Sequence, residues 1–93
     1  MPPKKRPAPR KPATEYRKLV GAEIRSYREI AGLTQADVAR KMTDAGRKTS
    51  RRSVADWEKG EVAAPSIDDL PFLADALDCL VSDFFPENFS EKI

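Results

Sequence analysis

The stretch that most constrains this chain runs from Thr34 to Gly60 and has the pattern of two short helices joined by a turn. Thr34 can cap the first helix, with Asp37 three residues further on. Three apolar side chains then fall on one face of that helix: Val38, Ala39 and Met42. Gly46 can take the left-handed conformation that ends a helix.

The second helix of this stretch has Ser50 as a candidate cap and Gly60 as its end. With Val54 as the inward position, Trp57 lies on the same side and is predicted to be a core residue. The opposite side is mostly charged and consists of Arg51 at its edge, Arg52, Ala55, Asp56 and Lys59. A short helix with one buried face and an arginine-rich outer face suits a DNA major groove.

Four groups of residues have the spacing of known motifs. They are Ile24, Arg25 and Arg28; Leu33, Thr34, Gln35, Val38 and Ala39; Val54, Glu58, Lys59 and Gly60; and Pro65, Leu70, Leu73, Ala74 and Leu77. Together they resemble the lambda-repressor-like (XRE/Cro type) helix-turn-helix family over residues 19–85. The connection from Met42 to Val54 is longer than that family's usual turn, and Pro71 lies where its fourth helix runs.

The resemblance implies an all-α fold, a five-helix lambda-repressor-like DNA-binding domain, which we place at residues 14–86. It also implies that Gln35 reaches a phosphate and braces the start of the recognition helix. By the same resemblance, Arg28 pairs with Glu58 between helices; two separately solvated charges are the alternative.

Composition narrows the class of protein. Ninety-three residues allow one domain, and there is no His and only one Cys, Cys79, which is predicted to be a small buried apolar residue. An internal disulfide, a His/Cys metal cluster and a His-based catalytic site are therefore excluded. No cofactor, small-molecule ligand, membrane span or signal peptide is indicated. We expect an intracellular protein, cytoplasmic and nucleoid-associated.

Charge is distributed unevenly along the chain. Residues 1–12 carry five basic and no acidic side chains, a balance of +5. Residues 13–60 carry eleven basic and seven acidic side chains, a balance of +4, and residues 61–93 carry one basic and eight acidic, a balance of −7. The basic part holds the helix-turn-helix, so the acidic end should point away from nucleic acid.

The proline-rich residues 1–13 are predicted to be a disordered basic arm that follows DNA into a groove. Its cations are Lys4, Lys5, Arg6, Arg10 and Lys11. A nuclear localisation signal or a solubilising tail has the same composition.

The remaining helices are predicted from apolar spacing. The first begins at the cap Thr14, ends at Gly32 and has an apolar stripe of Val20, Ile24, Tyr27 and Ala31. Ser66 or Asp68 could begin the fourth helix. Because proline is tolerated only in a first turn, this helix is placed at about Asp69 to Asp78, with Asp68 as its cap and residues 66–68 as a turn. A short fifth helix runs from Ser82 to Phe85. Residues 87–93 form a C-terminal tail, and Phe84, Phe85, Phe89 and Ile93 make an apolar end.

The predicted DNA contacts cluster on the recognition helix and the connection before it. For base readout we select Arg51, Arg52 and Ala55, with Thr49 and Ser50 as weaker candidates. The remaining predicted contacts are Gln35, Arg47, Lys48, Asp56 and Lys59. A solvated loop is the alternative for Arg47 and Lys48. Asp56 either braces Arg52 or accepts from cytosine N4.

Two function classes remain open. The first is a sequence-specific double-stranded DNA-binding transcription regulator, a repressor that binds a two-fold operator as a homodimer. The second is a protein-interaction module of the same fold, such as an antitoxin or a bridging coactivator. An enzyme is not supported, since the sequence has no nucleophile–base pair and no phosphate-cradling glycine loop.

Overall fold

The computed structural model describes residues 13–85, so the cations of the predicted arm, Phe89 and Ile93 lie outside the described residues. The described chain is helical, with α1 Ala13–Ile30, α2 Gln35–Asp44, α3 Arg51–Lys59, α4 Asp69–Leu77 and a 3-10 helix Val81–Phe84. The all-α prediction is confirmed. The fifth helix is one 3-10 turn that begins a residue earlier than predicted, and α1 begins one residue before Thr14.

The signals for helix ends act as their chemistry predicts. At the start of α2, the Asp37 N–H donates to Thr34 Oγ1 (3.0 Å) and the Thr34 N–H donates to Asp37 Oδ2 (2.9 Å), a reciprocal capping box. Ser50 caps α3 by accepting from the Ser53 N–H at 3.1 Å. Gly60 closes α3 in the left-handed region, with φ of 65°.

The predicted cap of α4 is wrong. Asp68 is in helical conformation and makes no side-chain cap hydrogen bond. Ser66 caps instead: its Oγ accepts from the Asp69 N–H (3.2 Å), and its own N–H donates to Asp69 Oδ2 (2.8 Å). The residue that caps α4 is therefore two positions earlier than the predicted cap, and Pro71 still falls in the first turn of α4, where its missing N–H costs little.

The core lies between the four helices and the 3-10 helix. Its buried residues are Val20, Ile24, Val38, Ala39, Met42, Val54, Trp57, Leu73, Ala74, Leu77 and Phe84. The Phe84 ring seals the core edge-on against Tyr27, with ring centroids 6.4 Å apart. Two predictions fail in part: Ala31 lies beyond α1 and is exposed, and Cys79 is only half-buried, although burial raises the pKa of its thiol.

Helices α1 and α3 touch backbone to backbone. A Cβ at Gly21 of α1 would overlap the carbonyl oxygens of Trp57 and Glu58, and a Cβ at Gly60 would overlap the backbone of Arg17. Glycine is therefore required at both positions by space, and at Gly60 also by its positive φ. The two contacts place the end of α3 directly against the first half of α1.

One carboxylate joins three helices. Glu58 of α3 accepts from Arg28 of α1 in a two-pronged contact, Nε to Oε2 at 2.6 Å and Nη2 to Oε1 at 3.1 Å. Gln35, the first residue of α2, donates its amide to Glu58 Oε1 at 3.1 Å. The Arg28 and Glu58 side chains are only 15% and 5% exposed, so each charge depends on the other. The hydrogen bond to Glu58 raises the pKa of Arg28.

We predict that Arg28→Met or Glu58→Gln alone lowers the free energy of unfolding by about 3–5 kcal/mol, because each leaves a poorly solvated charge without its partner. The double variant should lose less than the sum of the two. Urea unfolding followed by circular dichroism measures both quantities.

Arg25→Met is the matched control, because it breaks an exposed α1 pair with Glu29 and should cost less than about 1 kcal/mol. Additive losses of that small size at Arg28 and Glu58 would contradict the buried pair.

Candidate nucleic-acid interface

The outward face of α3 carries the predicted base-reading residues. Val54 and Trp57 point into the core, at 0% and 6% exposure, which fixes the rotation of the helix. Arg51, Arg52 and Lys59 are then exposed, and Ala55 and Asp56 are half-buried. The structure thus brings these five predicted residues onto one side of one helix, as the spacing indicated.

The cations on the outward face of α3, and Lys48 just before the helix, differ in whether they have an ion-pair partner. Arg52 Nε lies 3.9 Å from Asp56 Oδ2, an ion pair beyond hydrogen-bond range, and the Arg52 side chain is 91% exposed. Lys48, Arg51 and Lys59 are exposed and show no ion pair or hydrogen bond within the described part of the chain. These four side chains therefore keep N–H donors available for phosphate oxygens or base edges.

The two hydroxyls that precede α3, at Thr49 and at the cap residue Ser50, are engaged within the protein. Ser50 Oγ accepts from the Ser53 N–H, and Thr49 Oγ1 donates to the Arg47 carbonyl at 2.7 Å. Both lie beside the outward face, but a base contact from either would have to replace or share an existing hydrogen bond. This agrees with their place as the weaker base-reading candidates.

Gln35 occupies the first position of α2, where backbone N–H groups lack helical partners and can face an anion. Its amide N donates to Glu58, near the end of α3 rather than its start. The predicted bracing contact therefore reaches the recognition helix at its C-terminal turn. The predicted phosphate contact of Gln35 stays a prediction.

The connection from α2 to α3 is held by its own hydrogen bonds. The Arg47 N–H donates to the Met42 carbonyl (2.9 Å), and the Thr49 N–H donates to Thr43 Oγ1 (3.1 Å). Arg47 Nε donates to Asp69 Oδ1 of α4 at 2.8 Å, whereas Lys48 is exposed. Of the two predicted phosphate contacts in this connection, Arg47 is therefore paired with a carboxylate, whereas the Lys48 ammonium is exposed to solvent.

The start of α1, which follows the predicted basic arm in the sequence, lies beside the end of α3. Arg17, one turn into α1, donates from Nη2 to the Glu61 carbonyl (3.1 Å), directly after Gly60. The start of α1 is thus next to the C-terminal end of the recognition helix. The arm cations predicted to contact DNA precede Arg17 by 6 to 13 residues along the chain.

Residues important to this surface were missed in the sequence. Gly21 sets the distance between α1 and α3, and the Ser66–Asp69 box anchors the Arg47 side chain. Ser66 and Asp69 are three residues apart, the spacing of a capping box, so this box could have been predicted from the sequence. No group of three or more potential metal ligands occurs among residues 13–85, and none of the described helices is long and apolar enough to cross a membrane.

Comparison with known proteins shows which family and which solved structures this fold is similar to. Residues 24–84 match the family model described as helix-turn-helix. The fold is similar to the crystal structure of the clp gene regulator ClgR from C. glutamicum, with a TM-score of 0.65 and 26% identity over 80% of this chain and 86% of that chain. It is also similar to the crystal structure of the DNA-binding domain of BldD, with a TM-score of 0.65 and 29% identity over 81% of this chain and 100% of that chain.

Comparison with curated proteins gave no significant match. The family match nevertheless covers well over half of the chain. The chain therefore belongs to the XRE/lambda-repressor-like helix-turn-helix family, whose fold is that of DNA-binding regulators and not of enzymes.

Proposed function

We propose that the chain is a sequence-specific double-stranded DNA-binding transcription regulator, a cytoplasmic, nucleoid-associated repressor that binds a two-fold operator as a homodimer. One observation carries the proposal: α3 is locked against α1 and α2 through Glu58, while its arginine-bearing side stays exposed. A helix held this way can enter a major groove without rearrangement of the domain.

We assign base readout to Arg51, Arg52 and Ala55. An arginine can donate two hydrogen bonds to guanine O6 and N7, and the alanine methyl can pack on a thymine methyl. The 3.9 Å separation of Arg52 and Asp56 lets the carboxylate restrain the guanidinium without occupying its donors. This arrangement favours the bracing role of Asp56 over direct contact with cytosine.

Phosphate contacts position the helix. Lys48 lies just before α3 and Lys59 lies at its last turn, so the two exposed ammonium groups flank the reading face. The N-terminus of α2, with Gln35, supplies backbone N–H groups on a third side. Bound in this way, the domain covers its site, and occupancy of a promoter by a dimer would repress by exclusion of other proteins.

A dimer is proposed because one helix-turn-helix reads too few base pairs for genomic specificity. The surface that joins two copies should lie away from the phosphates. We assign this surface to the acidic C-terminal third, which phosphates would repel; it exposes Leu80 (67%) and Phe85 (38%), ahead of Phe89 and Ile93 in the sequence.

Selection of bound duplexes from a random pool tests the proposal. We expect one enriched sequence with two-fold symmetry and half-sites roughly 34–36 Å apart. Arg51→Ala and Arg52→Ala should each weaken binding to it by roughly 1–3 kcal/mol and relax the preference at one base position.

Arg25→Ala is the control, because it removes an exposed arginine of α1 and the same charge. It should leave every base preference intact. A pool without enrichment would contradict sequence-specific binding and favour the protein-interaction module, and an enriched sequence without symmetry would contradict the dimer.

The basic arm generates a separate prediction. Deletion of residues 2–12 should weaken binding to all duplexes and flatten the slope of log affinity against log salt by about 0.9 for each lost phosphate contact. Exchange of the five arm cations for glutamine should reproduce both effects, since it keeps the length and removes the charge. An unchanged slope would leave the arm as a targeting signal or a solubilising tail.

A further inference from the structure

An ion pair joins the connection before the recognition helix to a helix that lies outside the helix-turn-helix. Arg47 is in the α2–α3 connection, and its Nε donates to Asp69 Oδ1, the first residue of α4, at 2.8 Å. The Arg47 side chain is 39% exposed and that of Asp69 is 14% exposed. The pair is less exposed than the ion pairs of α1 and α2, so water screens it less and it is the stronger restraint.

Asp69 is itself held rigidly. Its other oxygen, Oδ2, accepts from the Ser66 N–H (2.8 Å) and the Ser66 hydroxyl (2.9 Å). The Asp69 N–H donates back to Ser66 Oγ at 3.2 Å. The carboxylate that receives Arg47 is thus part of the frame that starts α4. Burial alone would raise the pKa of Asp69, but the hydrogen bonds from Ser66 and Arg47 lower it, so the group is ionised at neutral pH.

Arg47 is equally fixed on its own side of the contact. Its N–H donates to the Met42 carbonyl and its carbonyl accepts from the Thr49 hydroxyl, so the backbone between α2 and α3 is tied on both sides of this residue. Lys48 and Arg51 follow one and four residues later. A shift of Arg47 would therefore move Lys48, just before the recognition helix, and Arg51, its first residue.

We propose that Arg47 is a positioning residue: its ion pair with Asp69 sets the placement of the α2–α3 connection, and with it the sequence preference of α3. The inference rests on the proposed DNA-binding function and assigns Arg47 a different role from its neighbour Lys48. A phosphate contact by Arg47 is the rival, and the two roles make opposite predictions for a variant that leaves Arg47 in place.

That variant is Asp69→Asn, whose amide oxygen can still accept from Ser66. If Arg47 serves phosphates, loss of the carboxylate frees the guanidinium and removes a negative charge, so binding to every duplex strengthens and the salt slope steepens. If Arg47 positions the connection, affinity for the selected duplex falls while affinity for an unrelated duplex does not. We expect the ratio of the two affinities to fall about tenfold, within the range of couplings through one shared contact.

Arg47→Gln supplies the second arm of the test. Positioning predicts the same fall in the ratio with an unchanged salt slope, and the double variant Arg47→Gln/Asp69→Asn should resemble either single variant. Lys48→Gln is the matched control, since it removes an adjacent cation that makes no ion pair or hydrogen bond with residues 13–85. It should lower the slope by about 0.9 and weaken both duplexes alike.

Amide hydrogen exchange of the free protein provides a readout without DNA. In Asp69→Asn the Thr49 N–H, which donates to Thr43 Oγ1, should exchange faster than in the parent chain. An unchanged affinity ratio, an unchanged Thr49 rate, or a slope loss for Arg47→Gln equal to that of Lys48→Gln would each overturn the inference. If the parent chain showed no sequence preference, the proposed function itself would fail instead.

Discussion

The recognition helix of this domain depends on the carboxylate of Glu58. A carboxylate with 5% exposure is stable only when its partners replace the lost water, and here an arginine from α1 and an amide from α2 do so. Three helices are therefore fixed relative to one another at a single point. The hydrophobic core fixes which side of α3 faces inward, and Glu58 fixes where along α1 and α2 that helix comes to rest.

The close approach of α1 and α3 works together with this charge. Backbone contact at Gly21 and Gly60 brings the two helices nearer than side chains would allow, and it also brings the start of α1 to the end of α3. The basic N-terminal residues are consequently joined to the domain beside the recognition helix. The excess of acidic residues falls after α3, in residues 61–93; Asp69 and Asp75 lie on α4 and Asp83 lies in the 3-10 helix, outside the proposed phosphate-facing helix.

Local signals in the sequence were sufficient for much of this structure. Thr34, Ser50 and Gly60 act within one helical turn, so their positions alone mark the helix ends. The apolar spacing of Val54 and Trp57 determined which face of α3 is exposed, because burial of two large side chains outweighs other preferences. The contact between Arg28 and Glu58 was expected only through family resemblance, since nothing local relates residues thirty positions apart.

The features that sequence reasoning missed are those that depend on distant parts of the chain. Asp69 is both a capping residue and the partner of Arg47, twenty-two residues away, and only the packing of α2 on α4 brings them together. Gly21 has no turn or positive φ to mark it; its role appears only when α3 lies against it. The cap of α4 is a local exception: the proline constraint favoured Asp68, whereas Ser66 makes the cap hydrogen bonds and Pro71 still lies in the first turn.

The outward face of α3, held by Glu58, is the surface proposed to contact DNA. An NMR titration of the isotope-labelled chain with its selected duplex tests this most directly. We expect the largest backbone shift changes at Arg51, Arg52 and Ala55, with further changes at Lys48 and Gln35. Changes concentrated on α4 and the 3-10 helix, with α3 unaffected, would contradict it.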